Sequence, residues 1–79
     1  MNKIEILAKI NIIFNELFQI DNLSLETELE SVGKLDSLGK LNLFLRIEKE
    51  FGMKLSMSEI IKYKTINDIA ENIQAFSRK

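Results

Sequence analysis

No proline interrupts the 79 residues of this chain, and only three glycines occur in it. Proline inside a helix removes a backbone hydrogen bond and clashes with the preceding turn, and glycine costs about 1 kcal/mol there relative to alanine. Helices can therefore run with few breaks. Asn2 followed by Glu5 has the pattern of a capping box, in which each side chain satisfies an orphan amide at a helix start. Beyond it Leu7, Ile10, Phe14, Leu17 and Phe18, supported by Ile6 and Ile13, recur at helical spacing and predict a first helix over residues 3–19. Residues 21–36 are rich in Ser, Thr, Glu and Asn, but Leu23, Leu25, Leu29, Val32 and Leu35 punctuate them. This long connection is expected to pack on the helices, and connections of such length are often functional. A second helix is predicted over residues 37–51, closed by Gly52 in the left-handed conformation. Ser56 to Glu59 repeats the capping-box pattern and opens a short helix through Ile60, Ile61 and Tyr63. Thr65 caps a last helix, with Asp68 in its first turn favourable to the helix dipole. Its expected buried stripe is Ile66, Ile69, Ala70, Ile73 and Phe76. The expectation is an all-α fold: one domain over residues 1–79, a small four-helix bundle with three main helices, a short third helix, and a long loop between helices 1 and 2.

The side-chain inventory narrows the chemistry. With no cysteine and no histidine, the chain has no disulfide, no zinc ligand set, no thiol nucleophile and no imidazole base. A carrier or binding module is expected rather than an enzyme, with no catalytic residues and no metal site. The 11 basic residues are scattered among 12 acidic ones, so no cationic stripe tracks a phosphate backbone and nucleic acid binding is disfavoured. Charges at Lys3, Glu5 and Lys9 break any apolar signal region, and no apolar run approaches the roughly 20 residues of a membrane span. A cytoplasmic location is the expectation. Gly33-Lys34 invites comparison with a phosphate-binding P-loop, but Leu35 stands where that motif needs Ser or Thr, and Glu28 where it needs glycine. Glu26, Glu28 and Glu30 read as a solvated loop rather than a cation site.

The segment Asp36-Ser37-Leu38-Gly39-Lys40-Leu41-Asn42-Leu43-Phe44-Leu45-Arg46-Ile47-Glu48-Lys49-Glu50-Phe51-Gly52 puts a serine at the head of an amphipathic helix, between an aspartate and a leucine. Asp-Ser-Leu alone is a weak signal, and Asp36 could simply be an N-cap. Midway along such a chain, and followed by a helix ending in Glu-Phe-Gly, the segment closely resembles the phosphopantetheine attachment segment of acyl and peptidyl carrier proteins. The resemblance extends over nearly the whole chain and includes a Thr-Ile-x-x-Ile-Ala start to the last helix. It implies a freestanding acyl carrier protein of the kind used in fatty acid biosynthesis and lipid metabolism. A 4'-phosphopantetheine arm from coenzyme A would be joined covalently to Ser37, with Asp36 and Leu38 as the flanking cofactor-site residues. Ser37 has no neighbouring histidine, and a bare hydroxyl is a weak nucleophile at neutral pH, so a separate phosphopantetheinyl transferase must supply the base and the magnesium. A helix N-terminus suits the phosphodiester product.

Fatty acid carriers are usually strongly acidic along this helix, whereas Lys40, Arg46 and Lys49 stand here beside only Glu48 and Glu50. On a wheel of about 100° per residue, Gly39, Asn42, Arg46, Lys49 and Glu50 share a polar sector, with Leu38 and Leu45 on its edge and Phe44, Ile47 and Phe51 deeper in the apolar one. The resemblance implies that loading and acyl-processing enzymes dock on this helix beside the arm. The expected partner-binding residues are Leu38, Asn42, Leu45, Arg46, Glu48 and Lys49, on a monomer. Leu35 before the motif and Gly39 after it are similar to D-alanyl and peptidyl carriers. An aminoacyl or peptidyl carrier therefore stays open, as does, from another class, an unmodified helical interaction domain.

Overall fold

A computed structural model describes residues 2–33 and 35–77. Helix α1 spans Lys3–Phe18, α2 spans Ser37–Phe51, α3 spans Met57–Ile60 and α4 spans Ile66–Ser77, with one turn of 3-10 helix at Leu29–Ser31. The four-helix, all-α expectation holds. Lys34 of the Gly33-Lys34 pair lies outside the described residues.

Each helix starts as its sequence dictates. Asn2 Oδ1 accepts from the Glu5 amide at 2.8 Å, and Ser56 Oγ accepts from the Glu59 amide at 3.3 Å. At α4 both halves of the box form, because Thr65 Oγ1 accepts from the Asp68 amide at 3.3 Å while Asp68 Oδ2 accepts from the Thr65 and Lys64 amides at 3.1 and 2.8 Å. These backbone donors, Lys64 foremost, hold the Asp68 carboxyl below its ordinary range. Gly52 closes α2 at φ +62°, its amide bonded to the Glu48 carbonyl. Helix α1 ends at Phe18, one residue short of the predicted end at residue 19. Gln19 takes the left-handed conformation at φ 58° and returns its amide to the Asn15 carbonyl, a stop with no glycine to announce it.

The core is built by three helices. Ile6, Ile10, Ile13, Phe14 and Phe18 of α1 meet Leu43, Phe44 and Ile47 of α2 and Ile66, Ile69, Ala70 and Ile73 of α4. Burying an aliphatic or phenyl side chain stabilises by about 1.5–3 kcal/mol, so α3, which buries none fully, adds little. Two expectations are corrected. Phe76 is 39% exposed: on the α4 wheel it falls about 20° beyond Ile69, the last covered edge of the stripe, and in the final turn. Gly39, placed by the wheel in the polar sector, is buried beside Leu43, because the stripe of α2 begins one turn earlier than its large apolar residues indicate.

The long connection is pinned at both ends. Asn11 of α1 accepts from the Leu23 amide at 2.8 Å and donates to its carbonyl at 3.2 Å. Glu28 and Thr65 form an isolated antiparallel bridge, flanked by bonds from Leu29 N to Lys64 O, Ile66 N to Thr27 O and Asn67 N to Leu25 O. Leu29 and Val32 are buried, so the loop packs as its leucines predicted and delivers the chain to the head of α2.

Candidate functional site

Asp36 sets the start of α2. Its backbone is extended, at φ −82° and ψ −172°, and its Oδ1 accepts from the Gly39 amide at 2.7 Å while its carbonyl takes the Lys40 amide at 2.9 Å. Ser37 is thereby the first helical residue and is exposed. A cavity of about 320 Å³ opens beside it. Ser37 and Lys40 border it, Leu41 and Phe44 of α2 form one wall, and Met57, Ile60 and Tyr63 face them. The Tyr63 ring lies 5.7 Å from that of Phe44. Its hydroxyl accepts a hydrogen bond from Asn72 Nδ2, which also donates to Glu59 Oε2 at 2.7 Å, so α4 holds this wall in place. Burial pushes the Tyr63 phenol up despite the opposing Asn72 bond, and Glu59 and Asp68 add to the rise, so the phenol stays neutral at physiological pH.

Ser37 has no imidazole or thiol to activate it, since no histidine or cysteine exists in the chain. The arrangement therefore suits a serine that is modified, not one that attacks a substrate unaided. The head of a helix favours a phosphodiester, since first-turn amides lack intrahelical acceptors and the dipole is positive there. An exposed hydroxyl at this point fits the attachment of a phosphopantetheine group.

The phosphopantetheine attachment site family matches residues 8–73. Over 71 residues the chain is 34% identical to an acyl carrier protein of Phytoplasma mali, covering 87% of this chain and 84% of that one. The chain belongs to the acyl carrier protein family. A second acyl carrier protein, from Thermosynechococcus vestitus, is 32% identical over 75 residues, 92% of this chain and 93% of its own. A crystal structure of an acyl carrier protein from Thermotoga maritima superposes with a TM-score of 0.83 at 23% identity, over 95% of this chain and 89% of that chain, and so shares the fold. This acyl carrier protein carries acyl groups as thioesters on covalently attached 4'-phosphopantetheine, and its role is that of a carrier. Among the described residues no helix is long and apolar enough to cross a membrane.

The residues singled out from sequence separate into two groups. Leu38 and Leu45 are 66% and 54% exposed, and Asn42 and Lys49 are exposed with them, so these four share one face. Arg46 and Glu48 are half-buried and engaged internally. Arg46 pairs with Glu16 of α1 and with Glu50, and Glu48 Oε2 accepts from the Leu55 amide at 2.8 Å, pinning the segment after α2. Three further apolar residues were missed: Leu41, 54% exposed, Met57, 70%, and Ile61, 76%. The wheel could have found Leu41, 40° from Leu45; nothing in the sequence signals that Met57 and Ile61 come to the same cavity.

Proposed function

We propose that Ser37 Oγ is the attachment point of the arm and that the exposed face of α2 beside it receives the partner enzymes. The observation that carries this reading is an exposed serine at the first residue of a capped helix, at the mouth of an apolar cavity, inside Asp36-Ser37-Leu38. In the transfer step Ser37 Oγ bonds to the phosphorus that bears pantetheine in coenzyme A. The pyrophosphate bond breaks, adenosine 3',5'-bisphosphate leaves, and the serine proton passes to a base on a separate phosphopantetheinyl transferase. Asp36, through its bond to Gly39, holds the helix head so that the hydroxyl is presented in one position. The arm supplies the thiol that the sequence lacks. Leu38, Asn42, Leu45 and Lys49 form the partner face, while Arg46 and Glu48 support it from within. The protein acts as a cytoplasmic, monomeric single domain.

An aminoacyl or peptidyl cargo is the second reading, favoured by Leu35 and Gly39 around the motif and by the lysines of α2. Loading tests with adenylating enzymes and with acyltransferases separate the two. Attachment itself is tested by intact mass after incubation with coenzyme A and a promiscuous phosphopantetheinyl transferase. The wild type gains one phosphopantetheine and Ser37→Ala none. Modification that persists in Ser37→Ala overturns the assignment.

A further inference from the structure

Five exposed apolar side chains gather around Ser37. Leu38, Leu41 and Leu45 project from α2 at spacings of three and four residues, and Met57 and Ile61 border the same cavity as Leu41 and Ser37. A contiguous apolar surface of this kind on a small domain marks an interaction site. The charges beside it are unequally free. Asp36 is bonded to the Gly39 amide, Glu48 to the Leu55 amide, Glu50 to Arg46 and Glu59 to Asn72. Lys40, at the cavity mouth, and Lys49, about 40° from Leu45 on the wheel, are exposed, and among the described residues neither enters an ion pair or hydrogen bond. The unpaired charged arms among these residues are therefore cationic.

We infer that this surface docks a protein partner whose apolar contact patch is rimmed with carboxylates, Lys40 and Lys49 supplying the complementary charge. The inference rests on the reading of α2 as the partner face. Acidic rims on partners would find their counter-ions here, whereas basic rims would meet two unpaired lysines and acids whose oxygens already accept bonds from within the chain. Complementarity of this sort selects among partners more than it adds raw affinity.

The test is an amide-shift titration of the isotope-labelled protein with two amphipathic helical peptides. Both carry one leucine face, rimmed in the first by glutamates and in the second by lysines. The glutamate peptide shifts the amides of Leu38, Leu41, Leu45, Met57 and Ile61 and binds about three- to tenfold tighter, the scale of two exposed ion pairs. The preference shrinks as salt is raised and inverts in the Lys40→Glu/Lys49→Glu variant, whose exposed positions leave the core intact. Equal or tighter binding of the lysine peptide to the wild type, or shifts confined to another face, overturns the inference, and the wild-type pair of titrations decides this without the variant. The intact-mass test of Ser37 runs on the same sample. A wild type that is modified yet shows no glutamate preference sinks this inference alone, while failure of modification sinks the attachment reading and leaves the charge preference to be judged by its own titration.

Discussion

Phe44 and Leu45 are neighbours in sequence and opposites in environment, and truncating each to alanine separates core from the proposed docking surface. Phe44 is 4% exposed and stacks at an angle on Tyr63, whereas Leu45 is 54% exposed. Full burial of a leucine stabilises by about 1.5–3 kcal/mol, and Leu45 has less than half of that burial. Alanine also has slightly better helix propensity, which offsets part of the loss. Leu45→Ala should therefore cost under about 1 kcal/mol. Phe44→Ala forfeits a buried ring and its aromatic contact, and enlarges a cavity that already exists, for about 3–5 kcal/mol. A domain of this length holds roughly 4–12 kcal/mol in all, so the second variant loses a large share of its stability. At about 4–8 °C per kcal/mol, Leu45→Ala lowers Tm by less than about 8 °C and Phe44→Ala by more than about 12 °C. Urea and thermal unfolding followed by far-UV circular dichroism measure both, beside a loading assay in which Leu45→Ala is slowed although it stays folded. Equal destabilisation by the two variants would refute the placement of Leu45 on the partner face.

The chain without its arm should already show a helical spectrum and a cooperative thermal transition, because the core is assembled from the chain's own side chains, chiefly those of α1, α2 and α4; an apo protein that gains helix only on modification contradicts this. Asp68→Asn should destabilise at neutral pH, since the wild-type carboxylate accepts two backbone amides. The folded-state pKa of Asp68 is depressed, so its contribution is fully present above the unfolded value and is lost as pH falls through the folded one. Urea titrations at stepped pH should accordingly show wild type and variant converging below about pH 4, and a gap that widens on acidification would reverse the sign. Glu48→Lys should lower stability by about 1–3 kcal/mol, because it strips the Leu55 amide of its acceptor, whereas Glu48→Gln keeps a carbonyl there and loses less; calorimetry of the pair checks this, and identical transitions would remove Glu48 from its structural role.

What was legible in the sequence was what short-range rules govern. Asn2, Asp36, Ser56 and Thr65 cap helices with the side chains that their types predict, and Gly52 closes α2 because a left-handed residue was needed there. The stripes of α1 and α4 are carried by periodicity, and the position of Ser37 at a helix head by the Asp36 cap before it. Illegible were features that depend on distant chain. Glu48 looks like one more surface acid until the Leu55 amide is seen against it, and Arg46 becomes a tie to α1 only once Glu16 is brought across. Phe76 has the right spacing for the core but nothing packed over it. Gly39 offered no side chain to vote with, so the wheel assigned it by its polar neighbours.

The alternation of Leu43, Phe44 and Ile47 with Leu38, Leu41 and Leu45 along α2 means that one short helix is two separately editable surfaces. Substitutions on the outer set cost far less folding free energy than those on the inner one, so on the proposed reading of that face a lineage can exchange its partner enzymes while Ser37 and the core stay as they are. Interleaving at single-residue resolution also spares such a change any insertion or loop graft. On that reading a carrier of this design is retargeted by point mutation, with its core left untouched.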